Sequence, residues 1–145
     1  MARAARQTSI DPTQIQIVHV WNRCVRRAFL CGQDPLTGED FEHRRLWARQ
    51  RLEHLASVFA VDCITFSIMS NHTHQVLRSR PDIVSQWDDH QVAQRWLRLT
   101  PKRDRRGFEL EPSEQDITAL CNDTKRIAKL RVRLSDVSWW MRYFS

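Results

Sequence analysis

His72 and His74, separated by one residue, are the pair in this chain best spaced for chemistry. In an extended strand, side chains two positions apart leave the same face about 6.7 Å apart along the backbone, so two imidazoles can converge on one cation. The same spacing also fits two ordinary polar histidines at a strand end. The flanking residues predict how the pair is positioned: residues 61–69 are rich in β-branched and aromatic side chains, Ser70-Asn71 supplies a tight turn, and residues 72–77 form a second extended run. Two strands meeting as a hairpin thus carry both rings.

Around that hairpin the chain reads as strand, helix, strand, strand, then helices. Residues 14–25 alternate Ile15 and Ile17 with Gln14 and Gln16 and continue through Val18 and Val20, a strand with one buried face. Gly32 and Gly38 bracket a loop with Asp34 and Pro35 between them. Over residues 39–59, Phe41, Ala48, Leu52, Leu55 and Phe59 form the stripe of an amphipathic helix whose polar side is rich in arginine. Residues 82–87 suit a short helical turn. Asp88 with Gln91 makes a capping box for a helix through Val92, Trp96 and Leu99. A charged loop over 100–111 follows. Ser113 with Asp116 then opens a helix predicted to run through Ile117, Leu120, Thr124 and Ile127, with Lys125, Arg126, Lys129 and Arg131 in its last turns, where cations suit the helix dipole. Ser135 is the expected N-cap of a final helix carrying Val137, Trp140, Met141 and Phe144 on one face. A stop one residue after Phe144 reads as a truncation.

Length and composition bound the answer. The 145 residues, 41% of them hydrophobic, suit one domain over 1–145 with one core. No apolar stretch approaches the roughly 20 residues of a membrane span, and Arg3 and Arg6 lead into no secretory apolar region. Cys24, Cys31, Cys63 and Cys121 form no CxxC pair and read as free thiols in a reducing, cytoplasmic setting. A net charge of +6 and a pI near 9.8 point toward a polyanionic partner. The candidate phosphate contacts are Arg23, Arg26, Arg27, Lys102, Arg103, Arg105, Arg106, Lys125, Arg126 and Lys129, set against the plainer reading of solvated helix faces. His19 comes near the pair if it faces the hairpin, and is otherwise a satisfied sheet histidine. His43, His54 and His90 lack ligand spacing and read as surface residues. Trp139-Trp140 offers either a base-stacking platform or a core anchor.

The run from Ile64 through Met69-Ser70-Asn71-His72-Thr73-His74 to Leu77 resembles the metal hairpin of the HUH single-strand DNA nucleases, and within them the REP-associated tyrosine transposases and related small insertion-sequence transposases. The likeness extends to Val18 through Arg23 followed by Arg26, Arg27 and Leu30, and to residues 134–142. It implies an α+β fold: a ferredoxin-like antiparallel sheet with helices on one face, plus additional C-terminal helices. It also implies DNA transposition through cleavage and rejoining of single-stranded or hairpin DNA, with His72 and His74 holding Mg²⁺ or Mn²⁺ and a tyrosine forming a 5′-phosphotyrosine. Tyr143, the only tyrosine, is the nucleophile if this chain cleaves by that route; otherwise it packs its helix. Thr73 stands where the family usually has a bulky hydrophobic residue. Members of the family commonly form homodimers. Two further readings stay open: a catalytically inactive nucleic-acid-binding remnant, and a small metalloprotein whose histidine pair is structural.

Overall fold

In the computed structural model, which describes residues 10–24 and 29–145, the side-chain alternation of one central strand divides the molecule into two sides. Three strands, β1 (Ile17–Arg23), β2 (Val61–Ile68) and β3 (His72–Ser79), form an antiparallel sheet in the order β1-β3-β2. β3 alternates strictly: Thr73, Gln75, Leu77 and Ser79 are buried, whereas His72, His74, Val76 and Arg78 are half-exposed. β1 follows the same phase, with Val18, Val20 and Asn22 turned inward and Ile17, His19, Trp21 and Arg23 exposed. A shift of register between Cys63 and Thr65 in β2 inserts an extra residue against β3. The fold is therefore α+β, built on a sheet with one covered and one open face.

Among the described residues, six helices accompany the sheet: α1 (His43–Val58), α2 (Pro81–Val84), α3 (Asp89–Leu99), α4 (Glu114–Cys121), α5 (Thr124–Arg133) and α6 (Val137–Phe144). α1 and α6 lie against the sheet, and α3 packs on α1 and joins α4 and α5 in an outer layer. The core between them contains Leu52, Leu55, Val58, Leu77, Val92, Ile117, Leu130 and Trp140. Only the second half of α1 reaches this core; Leu46 and Trp47 in its first half are 57% and 59% exposed. No helix among the described residues is long and apolar enough to cross a membrane.

The predicted capping box of α3 is present, with Asp88 accepting from the Gln91 backbone N–H and Gln91 accepting from the Asp88 backbone N–H. One long helix was the expectation from Ser113 onward, but the structure has two. The chain breaks at Asn122-Asp123, and the Asp123 carboxylate caps α5 by accepting from the Arg126 N–H at 3.0 Å. Lys125 and Arg126 consequently stand in the first turn of a helix, where their charge opposes the dipole, not in a last turn. Asp136 rather than Ser135 caps α6, accepting from the Ser138 N–H, and Ser135 is buried. All four cysteines are free thiols. Burial pushes the Cys31 and Cys63 thiols above their ordinary pKa, which makes them poor nucleophiles.

Candidate metal and nucleic-acid site

Ser70 and Asn71 turn the chain between β2 and β3, with the Met69 N–H donating to the His72 carbonyl at 2.9 Å. The hairpin therefore begins β3 at His72, and the period of two sends both imidazoles to the open face. Their ring centroids lie 5.0 Å apart, with planes at 81°. At that separation both rings would be close enough to reach one ion if a nitrogen of each turned to a common point.

Neighbouring groups engage the other ring nitrogen of each histidine. His72 Nδ1 lies 2.6 Å from Asn71 Oδ1, a carbonyl oxygen that can only accept. In a neutral ring this contact places the proton on Nδ1 and leaves a lone pair on Nε2. His74 Nδ1 lies 2.9 Å from His19 Nε2, and the two ring planes are nearly parallel, 14° apart, with centroids 5.1 Å apart. If His74 donates in that pair, its Nε2 is likewise open. Register explains the contact: His19 pairs with Val76, so it sits diagonally from His74 on the same face. Among the described residues, no group of three or more His, Cys, Asp or Glu side chains is arranged to hold one ion. His72 and His74 would thus be the two side chains to hold an ion, with Asn71 and His19 against their rings.

The rest of the open face is aromatic and basic near the histidines. Trp21 stands directly opposite His74 and is 44% exposed; Arg23 stands opposite His72. Arg78, farther along β3, is paired with Asp62 at 2.7 Å and is neutralised. Arg23 makes no ion pair among the described residues.

Tyr143 is on the other side of the sheet. α6 meets β3 through Trp140, whose indole N–H donates to Gln75 Oε1 at 2.8 Å, and Gln75 faces away from His72 and His74. The Tyr143 ring lies 6.0 to 6.4 Å from those of Phe59, Trp96 and Trp139, within the helix layer. Its carbonyl accepts from Arg51 Nε at 2.8 Å. Trp140 is fully buried, and Trp139 is flanked by the guanidinium groups of Arg133 and Arg142 at 4.2 and 4.8 Å. The adjacent tryptophans are thus core and cation-π anchors rather than a free stacking platform.

The predicted phosphate contacts do not form one surface. Arg26 and Arg27 lie outside the described residues. Lys102 is ion-paired with Asp116 at 2.8 Å and Arg103 with Glu109 at 3.0 Å, both on the surface. Arg105 and Arg106 are exposed in the loop closed by the Arg103–Glu109 bridge. Lys125, Arg126 and Lys129 are exposed on α5, in the outer helix layer and away from the open face. His43 and His90 are exposed, whereas His54 is half-buried, its Nε2 3.2 Å from the Arg98 carbonyl. The residues that sequence reasoning passed over are Trp21 and Asn71. Trp21 shares the parity of His19 and Arg23 in β1, a signal the strand pattern already contained. The chain matches no protein-family model, no curated protein and no solved structure.

Proposed function

We propose that the protein is a metal-assisted single-stranded-DNA-binding module of the HUH, transposase-like type, using the open face of its sheet. One observation carries this reading: both imidazoles of the NHTH run share the open face, 5.0 Å apart, beside an exposed tryptophan and an arginine with no ion pair among the described residues. Strand order β1-β3-β2, with α1 between β1 and β2 and a hairpin joining β2 to β3, supports a ferredoxin-like arrangement. Bound at this site, a divalent cation supplies Lewis-acid stabilisation of charge on a phosphoryl oxygen. The chain's own part is to hold the cation through His72 and His74, orient those rings through Asn71 and His19, attract the backbone through Arg23, and stack a base on Trp21. Imidazole nitrogen without a neighbouring carboxylate suits Mn²⁺ or a later first-row ion better than Mg²⁺, which prefers oxygen.

The location of Tyr143 favours DNA binding without a Tyr143 adduct over strand cleavage by that residue. A test is to incubate the protein with hairpin-bearing single-stranded DNA and Mn²⁺, following anisotropy for binding and denaturing gels for covalent product. Mn²⁺-strengthened binding that is lost in His72→Ala supports the reading. Binding that ignores both Mn²⁺ and His72→Ala contradicts it, and an adduct abolished by Tyr143→Phe restores the cleaving enzyme.

A further inference from the structure

A cavity of about 480 Å³ opens where the ends of β1 and β3 meet α1 and the last turn of α6. Its size falls within the roughly 300–1,000 Å³ typical of small-ligand sites. Arg23, Arg44, Arg51, Trp47 and Phe144 line it, and His72 closes the side next to the sheet. No aspartate or glutamate side chain is among its lining residues.

Two of the three guanidinium groups are held in place by backbone carbonyls. Arg44 Nη1 donates to the Phe29 carbonyl at 3.0 Å while its guanidinium sits 4.2 Å from the centre of the Phe41 ring. Arg51 Nε donates to the Tyr143 carbonyl at 2.8 Å. Each keeps further N–H donors, because a guanidinium has five. Arg23 is exposed on β1, and none of the three has a carboxylate partner among the described residues. Three guanidinium groups lining one cavity offer several charged N–H donors to a single anion seated between them. Trp47 adds a second requirement. Its indole is 59% exposed and touches His43 ring-edge to ring-face, with centroids 4.8 Å apart. An anion alone has no use for that ring, whereas a base stacks on it.

From this combination we infer that the cavity is a nucleotide pocket, in which one nucleotide of a single strand places its phosphate among Arg23, Arg44 and Arg51 and its base against Trp47. The choice of a strand as the source rests on the function proposed above; the pocket's chemistry does not. A nucleotide seated there brings its phosphate beside His72, which gives the histidine pair and the pocket a common ligand.

The experiment uses the whole chain with EDTA present, so that the cation site is silent. The Trp47 indole signal in a ¹⁵N–¹H spectrum, assigned by its disappearance in Trp47→Phe, is followed during titration with dTMP, thymidine and inorganic phosphate. Binding of a fluorescent ten-residue oligo-dT is measured in parallel for the wild type, Trp47→Ala, Trp47→Phe and Arg23→Gln. The expected result is a Trp47 shift that saturates with dTMP, is weaker with thymidine and is absent with phosphate. Oligo-dT affinity should fall roughly tenfold in Trp47→Ala and be largely kept in Trp47→Phe. In Arg23→Gln the slope of log affinity against log salt should drop by roughly 0.7. A Trp47 signal unmoved by dTMP while oligo-dT still binds the wild type overturns the pocket alone. A signal that moves with dTMP in a protein that binds no oligo-dT leaves a mononucleotide pocket and removes the single-strand reading. If neither ligand binds, both proposals fall.

Discussion

Trp140 donates its indole N–H to Gln75 Oε1 across 2.8 Å in the protein interior, and Gln75 is the residue next to His74 in β3. That one bond locks α6 to the covered face of the strand whose other face carries the histidines. The Thr73 hydroxyl donates to Asn22 Oδ1 on the same covered face, so β1 and β3 are tied together from within. The placement of the histidine pair is thereby supported by packing on the opposite face of the strand.

Removing the bond should separate stability from metal binding. Trp140→Phe leaves Gln75 Oε1 buried without a donor, at a cost of about 1–3 kcal/mol, with further loss from the smaller ring. Urea unfolding should show that loss, while Mn²⁺ affinity measured by calorimetry on the folded protein stays within about twofold of wild type, since sites without shared partners add independently. A parallel collapse of Mn²⁺ affinity would mean that the two faces of β3 are not independent.

Tyr143→Phe is expected to be mild. The ring contacts to Phe59, Trp96 and Trp139 survive the change, so thermal stability should shift by less than about 1 kcal/mol equivalent. Mn²⁺ and DNA affinities should be unaltered. A large drop in DNA affinity would place the hydroxyl at the nucleic-acid surface, against its position in the helix layer.

Asn71 holds the His72 ring through Nδ1 at 2.6 Å without being a ligand. Asn71→Ala frees the ring to rotate and change tautomer, and metal affinity should fall by roughly 10- to 100-fold. Asn71→Asp, which keeps the acceptor, should bind as tightly as wild type or more so. Calorimetric titration with Zn²⁺ or Mn²⁺ distinguishes these outcomes, and equal losses in both variants would mean that the turn, not the acceptor, matters.

The break between α4 and α5 depends on one carboxylate. Asp123→Ala removes the acceptor for the Arg126 N–H and should cost about 1 kcal/mol, read as a lowered urea midpoint. Asp123→Asn, itself a good cap, should recover most of it. No difference between the two variants would show that packing alone sets the junction.

Acid should loosen the loop between α3 and α4 before the rest. Hydrogen bonds from the Lys102 ammonium and from Ser113 hold the Asp116 carboxyl below the ordinary carboxylate range. A depressed folded pKa contributes stability that is fully present above the unfolded value of about 4 and disappears as pH falls through the folded value. The stability difference between wild type and Asp116→Asn should therefore be constant near neutrality and vanish as pH falls through the lowered folded value. A difference that persists at lower pH would assign the effect to Asp116 as a neutral hydrogen-bonding group.

Much of the site was legible from the sequence because its logic is local. A period of two fixes that His72 and His74 share a face whatever the strand packs against, and Ser70-Asn71 marks the turn. The α4–α5 break was hidden because Leu120 and Ile127 continue the apolar spacing across it; the signal was Asp123, a good cap in mid-pattern. Long-range choices were not legible. Nothing local says that Lys102 meets Asp116 or Arg103 meets Glu109, surface ion pairs that two of the candidate phosphate contacts make. Nor does the stripe of α1 reveal that only its second half is covered, leaving Trp47 exposed. Which way Trp139, Trp140 and Tyr143 point depends on where α6 docks, a tertiary property.

Shared coordination by the two imidazoles is the claim on which the functional reading stands, and paramagnetic titration of histidine-labelled protein with Mn²⁺ tests it most directly. The account predicts that, at one equivalent, the ring resonances of His72 and His74 broaden together and most strongly, His19 follows less, and His43, His54 and His90 stay sharp. Broadening of only one of the pair, or of neither, at an equivalent of Mn²⁺ would contradict it.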